Sequence, residues 1–202
     1  MSSSPIQTNF DTIRAAKVVA LAATGAFAAT AWAIHFREVP KLVTSLTDSS
    51  KKAFLDSFVK MYSTYKPPQV SMLAIATVAS AYVASKDRQW LPVTLLAALP
   101  GLYTVIFMEP SINKPLYTMQ QNAQQIEEVD SKKLGKMMQQ WKIRHLTRTV
   151  ISTATIGVIL LLKPFVSKLL CEGMSCEGMF PFVFLFSKSN ESAGPLHLSM
   201  QM

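Results

Sequence analysis

Residues 69–108 read QVSMLAIATVASAYVASKDRQWLPVTLLAALPGLYTVIFM, two apolar runs parted only by Lys86, Asp87, Arg88 and Gln89. A membrane-spanning helix needs roughly 20 mainly apolar residues. The run Trp90–Met108 meets that length, and Gln69–Ser85 is short but usable. So short a polar link between two such runs reads as a tight helical hairpin. Upstream, Ala15–Ile34 is apolar apart from Lys17, Thr24 and Thr30; downstream, Thr149 to about Leu170 forms another run. The expected architecture is all-α: an integral membrane, up-down four-helix bundle with helices at about 15–35, 69–85, 90–108 and 149–170. It is flanked by a polar N-terminus (1–14) and an irregular C-terminal tail (171–202), so that 15–170 forms one domain.

Composition agrees with a membrane class. Half of the 202 residues are hydrophobic and 16% are charged, against about a quarter charged in an ordinary soluble domain. The net charge of +8 does not call for nucleic acid, because basic residues of membrane proteins collect in cytoplasmic loops and set topology. Of the 20 Lys and Arg, thirteen lie in 36–68 and 109–148, which fall on one side of the bundle. That imbalance predicts cytosolic long loops, with both termini lumenal or extracellular. The first apolar segment is too long, and its flank too polar, for a cleaved signal peptide, and it reads as a retained signal anchor. Met1–Arg14 makes a poor transit peptide, with Asp11 and a single Arg. The endoplasmic reticulum or another endomembrane is the expected location, with membrane lipid as partner and the oligomeric state unassigned. Cys171 and Cys176 lack nearby histidines and read as unpaired thiols, a local disulfide being the alternative. Asn190-Glu191-Ser192 is a formal glycosylation sequon, and Phe180, Phe182, Phe184 and Phe186 mark an irregular segment suited to a membrane surface.

Within the first helix, Ala22, Ala23, Ala26, Ala29 and Ala33 recur beside Gly25. Small residues are the usual adhesive between helices in lipid, so this face is expected to be packed. Pro100-Gly101 predicts a kink in the third helix, weighted toward packing over the opening of a cavity. Each long loop carries an amphipathic helical pattern: Ala53, Phe54, Phe58, Met61 and Tyr62 in one, Ile126, Val129, Leu134, Met137 and Trp141 in the other. Such helices either lie in the headgroup layer or roof the bundle.

Polar residues gather where these segments meet the loops. His35 and Arg37 close the first, Glu109, Pro110 and Asn113 the third, and Trp141, Arg144, His145 and Arg148 open the fourth. An up-down bundle puts all three clusters at one membrane face. None has the spacing of a metal site, a phosphate loop or a nucleophile triad. Each residue also has a plain structural reading: Trp141 and Tyr62 suit an interfacial aromatic belt, and Arg37, Arg144 and Arg148 suit snorkelling to headgroups, with Glu38 or Glu109 as ion-pair partners.

Four short motifs recur in order: His35-Phe36-Arg37-Glu38-Val39-Pro40, then Met61-Tyr62, then Met108-Glu109-Pro110-Ser111-Ile112-Asn113 with Leu116, then Trp141, His145 and Arg148. In that order and placement the chain resembles the four-helix membrane family that includes the fungal anthrone oxygenases, over about residues 15–165. His145 stands where many members carry Asn, and the Met108–Asn113 spacing is one residue looser than the family pattern. The resemblance implies a cofactor-independent oxygenase acting on a polycyclic phenol, an anthrone or another small apolar molecule. His35 and His145 would be candidate bases. Arg148 and Asn113, with Arg144, would stabilise an anion. Trp141 and Tyr62 would stack on a flat substrate, with Arg144 helping to bind it and no metal or cofactor required. The alternative is a non-enzymatic scaffold or lipid-binding accessory using the same basic face. A transporter ranks lower, since Lys163, which can snorkel, is the one charge placed deep in a run.

Overall fold

The computed structural model describes residues 5–48 and 50–162, and every regular element among them is helical. Helix α1 (Pro5–Ala33) continues through a wide turn at Ile34–Glu38 into α2 (Val39–Asp48). Helix α3 (Lys51–Lys86) turns at Arg88–Trp90 into α4 (Leu91–Tyr103). A second wide-turn segment, Thr104–Asn113, leads to α5 (Lys114–Gln121) and α6 (Ala123–Glu128), and α7 (Ser131–Leu161) follows. Helices α1, α3, α4 and α7 pack in neighbouring pairs: α1 on α3 and α7, α4 on α3 and α7. Three continuous helical stretches are long and apolar enough to cross a membrane: Asp11–Thr47, Lys51–Lys86 and Arg88–Gln121. The end of the fourth apolar run, Lys163, Cys171, Cys176, the Asn190 sequon and the aromatic tail lie outside the described residues.

The hairpin between Gln69 and Met108 forms as its sequence requires. Asp87 ends α3 and caps the next turn, its carboxylate accepting from Gln89 N–H at 3.2 Å. Lys17 of α1 reaches the other Asp87 oxygen at 3.3 Å and lies 5.3 Å from the Trp90 ring. The polar break in the first apolar run thus ties α1 to the hairpin end. At the opposite end the two long connections meet. Lys51 donates to the carbonyls of Glu127 (3.1 Å) and Val129 (2.7 Å), and Gln120 donates to Asp56 (2.9 Å).

Two local expectations change. The first concerns the amphipathic stretches, which are not separate helices lying beside the apolar runs. Residues 51–68 are the first half of α3; of the second stretch, Leu134, Met137 and Trp141 lie in the first half of α7, while Ile126 sits on α6 and Val129 between the two. Pro67-Pro68 reads as a break because each proline removes an N–H and crowds the preceding turn. Both prolines are exposed, and one buried stripe runs past them through Phe54, Phe58, Met61, Gln69, Ala76, Ser80 and Val83. Packing along that stripe offsets the lost hydrogen bonds. The second concerns α1, where the buried stripe is Ala20, Thr24, Phe27, Ala28, Ala31 and Ile34, while Ala22, Ala26 and Ala29 face outward. Alanine is small in every direction, so an alanine-rich helix does not announce its packed face. Phe27, wholly buried, decides it.

The apolar core sits in the half of the molecule built from the long connections. It joins Ile34, Val39, Leu42, Phe54, Phe58, Met108, Ile112, Leu116, Ile126, Leu134 and Trp141. The most hydrophobic runs do the reverse and turn apolar side chains outward, with Val78 70%, Val105 69% and Leu95 64% exposed. Apolar surface this extensive is unusual for a soluble monomer and marks an apolar environment or partner.

Candidate functional site

A cavity of about 600 Å³ opens between α3, α4 with its wide-turn extension, and α7. That is enough for a small organic ligand. Ile34, Leu73, Ala98, Gly101 and Met108 form apolar wall, and Val70, Val78, Leu102 and Val105 both line it and are exposed at its mouth. Most of its polar lining falls into two groups along α3, about 10 Å apart at 1.5 Å rise per residue between Tyr62 and Gln69.

Arg148 centres the first group. It is 9% exposed, and its guanidinium donates from Nε to His145 Nδ1 (3.2 Å), from Nη1 to Thr104 Oγ1 (3.1 Å) and from Nη2 to Gln69 Oε1 (2.6 Å). It also lies 5.7 Å from the Phe27 ring centroid, a distance that permits cation–π attraction. All its partners are neutral, and no salt bridge among the described residues includes it. The ion pair with Glu109 or Glu38 considered from sequence is not made. Glu38 pairs with Lys41 at 3.1 Å, and Glu109 pairs with Lys66 at 2.9 Å. A buried charge normally carries a countercharge. Here positive charge lines an apolar cavity without one.

Tyr62, Lys66, Glu109 and Asn113 make the second group. Tyr62 donates its hydroxyl to Glu109 Oε2 at 2.5 Å, Asn113 Nδ2 donates to the same oxygen at 3.2 Å, and Lys66 Nζ lies 5.0 Å from the Tyr62 ring centroid. Asn113 Nδ2 also reaches the Tyr62 hydroxyl oxygen, at 3.3 Å. The wide-turn segment brings Glu109 and Asn113 here. Its hydrogen bonds step back five residues, as from Lys114 N–H to Glu109 O, and Pro110 has no N–H with which to continue an ordinary helix. A five-residue turn sets Met108 and Asn113 on one buried face. The loose Met108–Asn113 spacing noted in the sequence is absorbed in this way. Wide-turn insertions in α-helices frequently accompany functional sites.

Three buried polar atoms of residues that line the cavity have no hydrogen-bond partner: Gln69 Nε2, Asn113 Oδ1 and Trp141 Nε1. The two amide orientations follow from chemistry. A guanidinium can only donate, so Gln69 must present oxygen to Arg148, and a carboxylate can only accept, so Asn113 must present nitrogen to Glu109. Each such orphan costs about 1–3 kcal/mol, a concentration of cost that ordinary packing does not explain.

Of the residues singled out from sequence, Tyr62, Asn113, Trp141 and Arg148 line this cavity, whereas His35, Arg144 and His145 do not. His145 is fully buried. One ring nitrogen accepts from Arg148, and the other, Nε2, lies 3.0 Å from the Ala31 carbonyl, to which it must donate. Those contacts describe a neutral imidazole with both nitrogens engaged. His145 stacks on Trp141 (centroids 4.8 Å apart, 4° between planes) and on His35 (6.4 Å, 15°). His35 Nδ1 is buried without a partner but lies away from the cavity. Arg144 bonds the Phe107 carbonyl and the Ser111 hydroxyl, fastening α7 to the wide-turn segment. Gln69, Thr104 and Lys66 were not singled out from sequence: each is one polar residue in or beside an apolar run, with no motif around it. Among the described residues no three of His, Cys, Asp and Glu gather as metal ligands would.

These features define a class, a protein all-helical over its described residues, with three membrane-length helices and a mainly apolar cavity that has the buried Arg148 on its lining. The family model for anthrone oxygenase matches residues 58–158. The chain belongs to the anthrone oxygenase family. The matched span includes the Tyr62, Asn113, Trp141 and Arg148 positions that line the cavity, and not the His35 motif. No curated protein and no solved structure matches the chain.

Proposed function

We propose that this protein is a multi-pass membrane oxygenase: a four-helix bundle of α1, α3, α4 and α7, embedded in an endomembrane with its long connections cytosolic. Its substrate is a polycyclic phenol, an anthrone or a similar flat apolar molecule. Arg148 is the observation that carries this reading. A buried cation with only neutral partners, on the wall of an apolar cavity, is suited to stabilise an anion that forms during reaction. The exposed mouth between α3 and α4, edged by Val78 and Val105, would face lipid, so an apolar substrate can enter sideways from the bilayer.

The chemistry balances with dioxygen as sole oxidant. An acidic C–H of the substrate loses its proton, and the anion passes one electron to dioxygen. The carbon radical and superoxide combine to a peroxide, which takes up a proton and expels water, so that a CH2 group becomes a carbonyl. Glu109, with Tyr62, is the carboxylate that lines the cavity, and we assign it the proton in preference to His35 and His145. His145 then acts as a positioning residue that aims Arg148, and Trp141 offers a ring face to the substrate.

Oxygen uptake by the protein purified in detergent, supplied with anthrones, tests the reading. Turnover is expected in the native protein and is lost in Arg148→Met with the helical circular dichroism retained. Absence of uptake with every anthrone and phenol offered would favour a non-enzymatic, lipid-binding role for the same cationic cavity. Loss of activity in Glu109→Gln, with His35→Gln still active, would support the proton assignment.

A further inference from the structure

The three orphaned atoms of the cavity-lining residues are unlike one another, and the difference is informative. Gln69 is 4% exposed and Trp141 2% exposed, and each leaves an N–H unpaired; Asn113, 1% exposed, leaves a carbonyl oxygen unpaired. The two donors share the cavity with Arg148, to which Gln69 is bonded directly. The free acceptor belongs to the Tyr62–Glu109 group. The fixed amide directions set a donor beside Arg148 at Gln69 and an acceptor beside Tyr62 and Glu109 at Asn113, while Trp141, edge-on to Phe58 at 5.7 Å and stacked on His145, adds a second donor.

Resting on the reading of this cavity as the reaction site, we infer that Gln69 is a specificity-determining residue. Its Nε2, together with Trp141 Nε1 and the charge of Arg148, holds an oxyanion of the bound ligand, while Asn113 Oδ1 accepts from a hydroxyl on the same ligand. The ligand class that satisfies all four groups is a flat apolar molecule with one ionisable oxygen and a second, protonated hydroxyl. It binds as the monoanion. Arg148 sets the direction of the Gln69 amide, so Gln69 cannot rotate to accept instead. Substitution by Glu would place a carboxylate against Arg148 and cancel the charge that the ligand needs.

A dihydroxyanthraquinone is a suitable probe, because it is already at the oxidation level of a product and its colour changes when a hydroxyl ionises. Its binding does not depend on oxygen or on turnover. Titrated in the native protein, the bound probe is expected to ionise at least one pH unit below the free probe in the same detergent, and a monomethoxy analogue that cannot supply the second hydroxyl is expected to bind at least tenfold more weakly. Gln69→Met should reduce the shift in ionisation, Trp141→Phe should reduce it while preserving the stack on His145, and Gln69→Glu should abolish it. Size-exclusion profiles and circular dichroism confirm that each variant is folded. A bound probe that ionises at the same pH as the free one overturns the inference, as does a Gln69→Met protein that matches the native shift. Neither result bears on whether oxygen is consumed, so this inference and the oxygenase reading fail separately.

Discussion

Arg148 needs its shape as well as its charge. Its three hydrogen bonds fan out to Gln69, Thr104 and His145 on three sides, a fork that the point charge of a lysine cannot reproduce. In Arg148→Lys at least one acceptor is left buried and open, and a lost bond to a charged group is worth about 1.5–3 kcal/mol. Turnover is expected to fall by roughly tenfold to a hundredfold, read as kcat/KM in the oxygen assay, with the protein still folded. His145 should behave differently, since it acts through Arg148. His145→Phe keeps a ring against Trp141 but can neither accept from Arg148 nor donate to Ala31, and should lower both thermal stability and kcat. His145→Asn retains a polar partner for one of the two and should lie between the native protein and the Phe variant. Equal loss in the two variants would mean that the ring, and not its nitrogens, is what matters.

Two helical irregularities shape the cavity, and each can be tested in its own element. In α3, Pro67 and Pro68 deny hydrogen bonds to the carbonyls four residues earlier, those of Ser63 and Thr64, at a cost of up to ~3 kcal/mol for each proline in a helix interior. Replacing both with Ala should raise the thermal midpoint. It should also lower turnover, because the prolines lie between Tyr62 and Gln69 and govern how those two side chains face the cavity. A rise in both quantities would show that the prolines have no part in shaping the site. In the Thr104–Asn113 segment, Arg144 bonds the Phe107 carbonyl and the Ser111 hydroxyl. Arg144→Met frees that fastening, and a segment that relaxes to ordinary helical turns rotates Glu109 and Asn113 away from each other. Probe affinity should then drop although Arg144 does not line the cavity.

The whole molecule divides its hydrophobic residues in an unusual way, with a packed core among the long connections and an exposed apolar girdle on the hairpin half. Lipid would cover that girdle. Single cysteines placed at Arg88 in the hairpin and at Gln120 in the opposite connection, with Cys171 and Cys176 changed to Ser, give a direct test in sealed vesicles. A membrane-impermeant maleimide should label the two positions from opposite sides, Gln120 from the cytosolic one. Labelling of both from the same side would end the spanning arrangement.

The hairpin at Lys86–Gln89, the apolar runs that lie within the three membrane-length helices and the membership of the family were legible in the chain itself, because apolar run length and short ordered motifs are local properties. Tyr62, Asn113, Trp141 and Arg148 were legible as candidates for the same reason. Which atoms remain unpaired is not local. Gln69 is one amide beside an apolar run until α7 brings Arg148 to its oxygen, and only then does its nitrogen become a fixed donor on a cavity wall. Likewise His145 and Glu109 exchanged apparent importance once their partners were known, the histidine bonded on both nitrogens and the carboxylate lining the cavity beside Tyr62. The primary structure determined that helices form over these apolar runs, but not how far they extend, since α3 and α7 begin well upstream of theirs. Packing between residues far apart in the chain decided which faces are buried, since hydrogen-bond satisfaction and burial depend on neighbours that no short stretch of sequence contains.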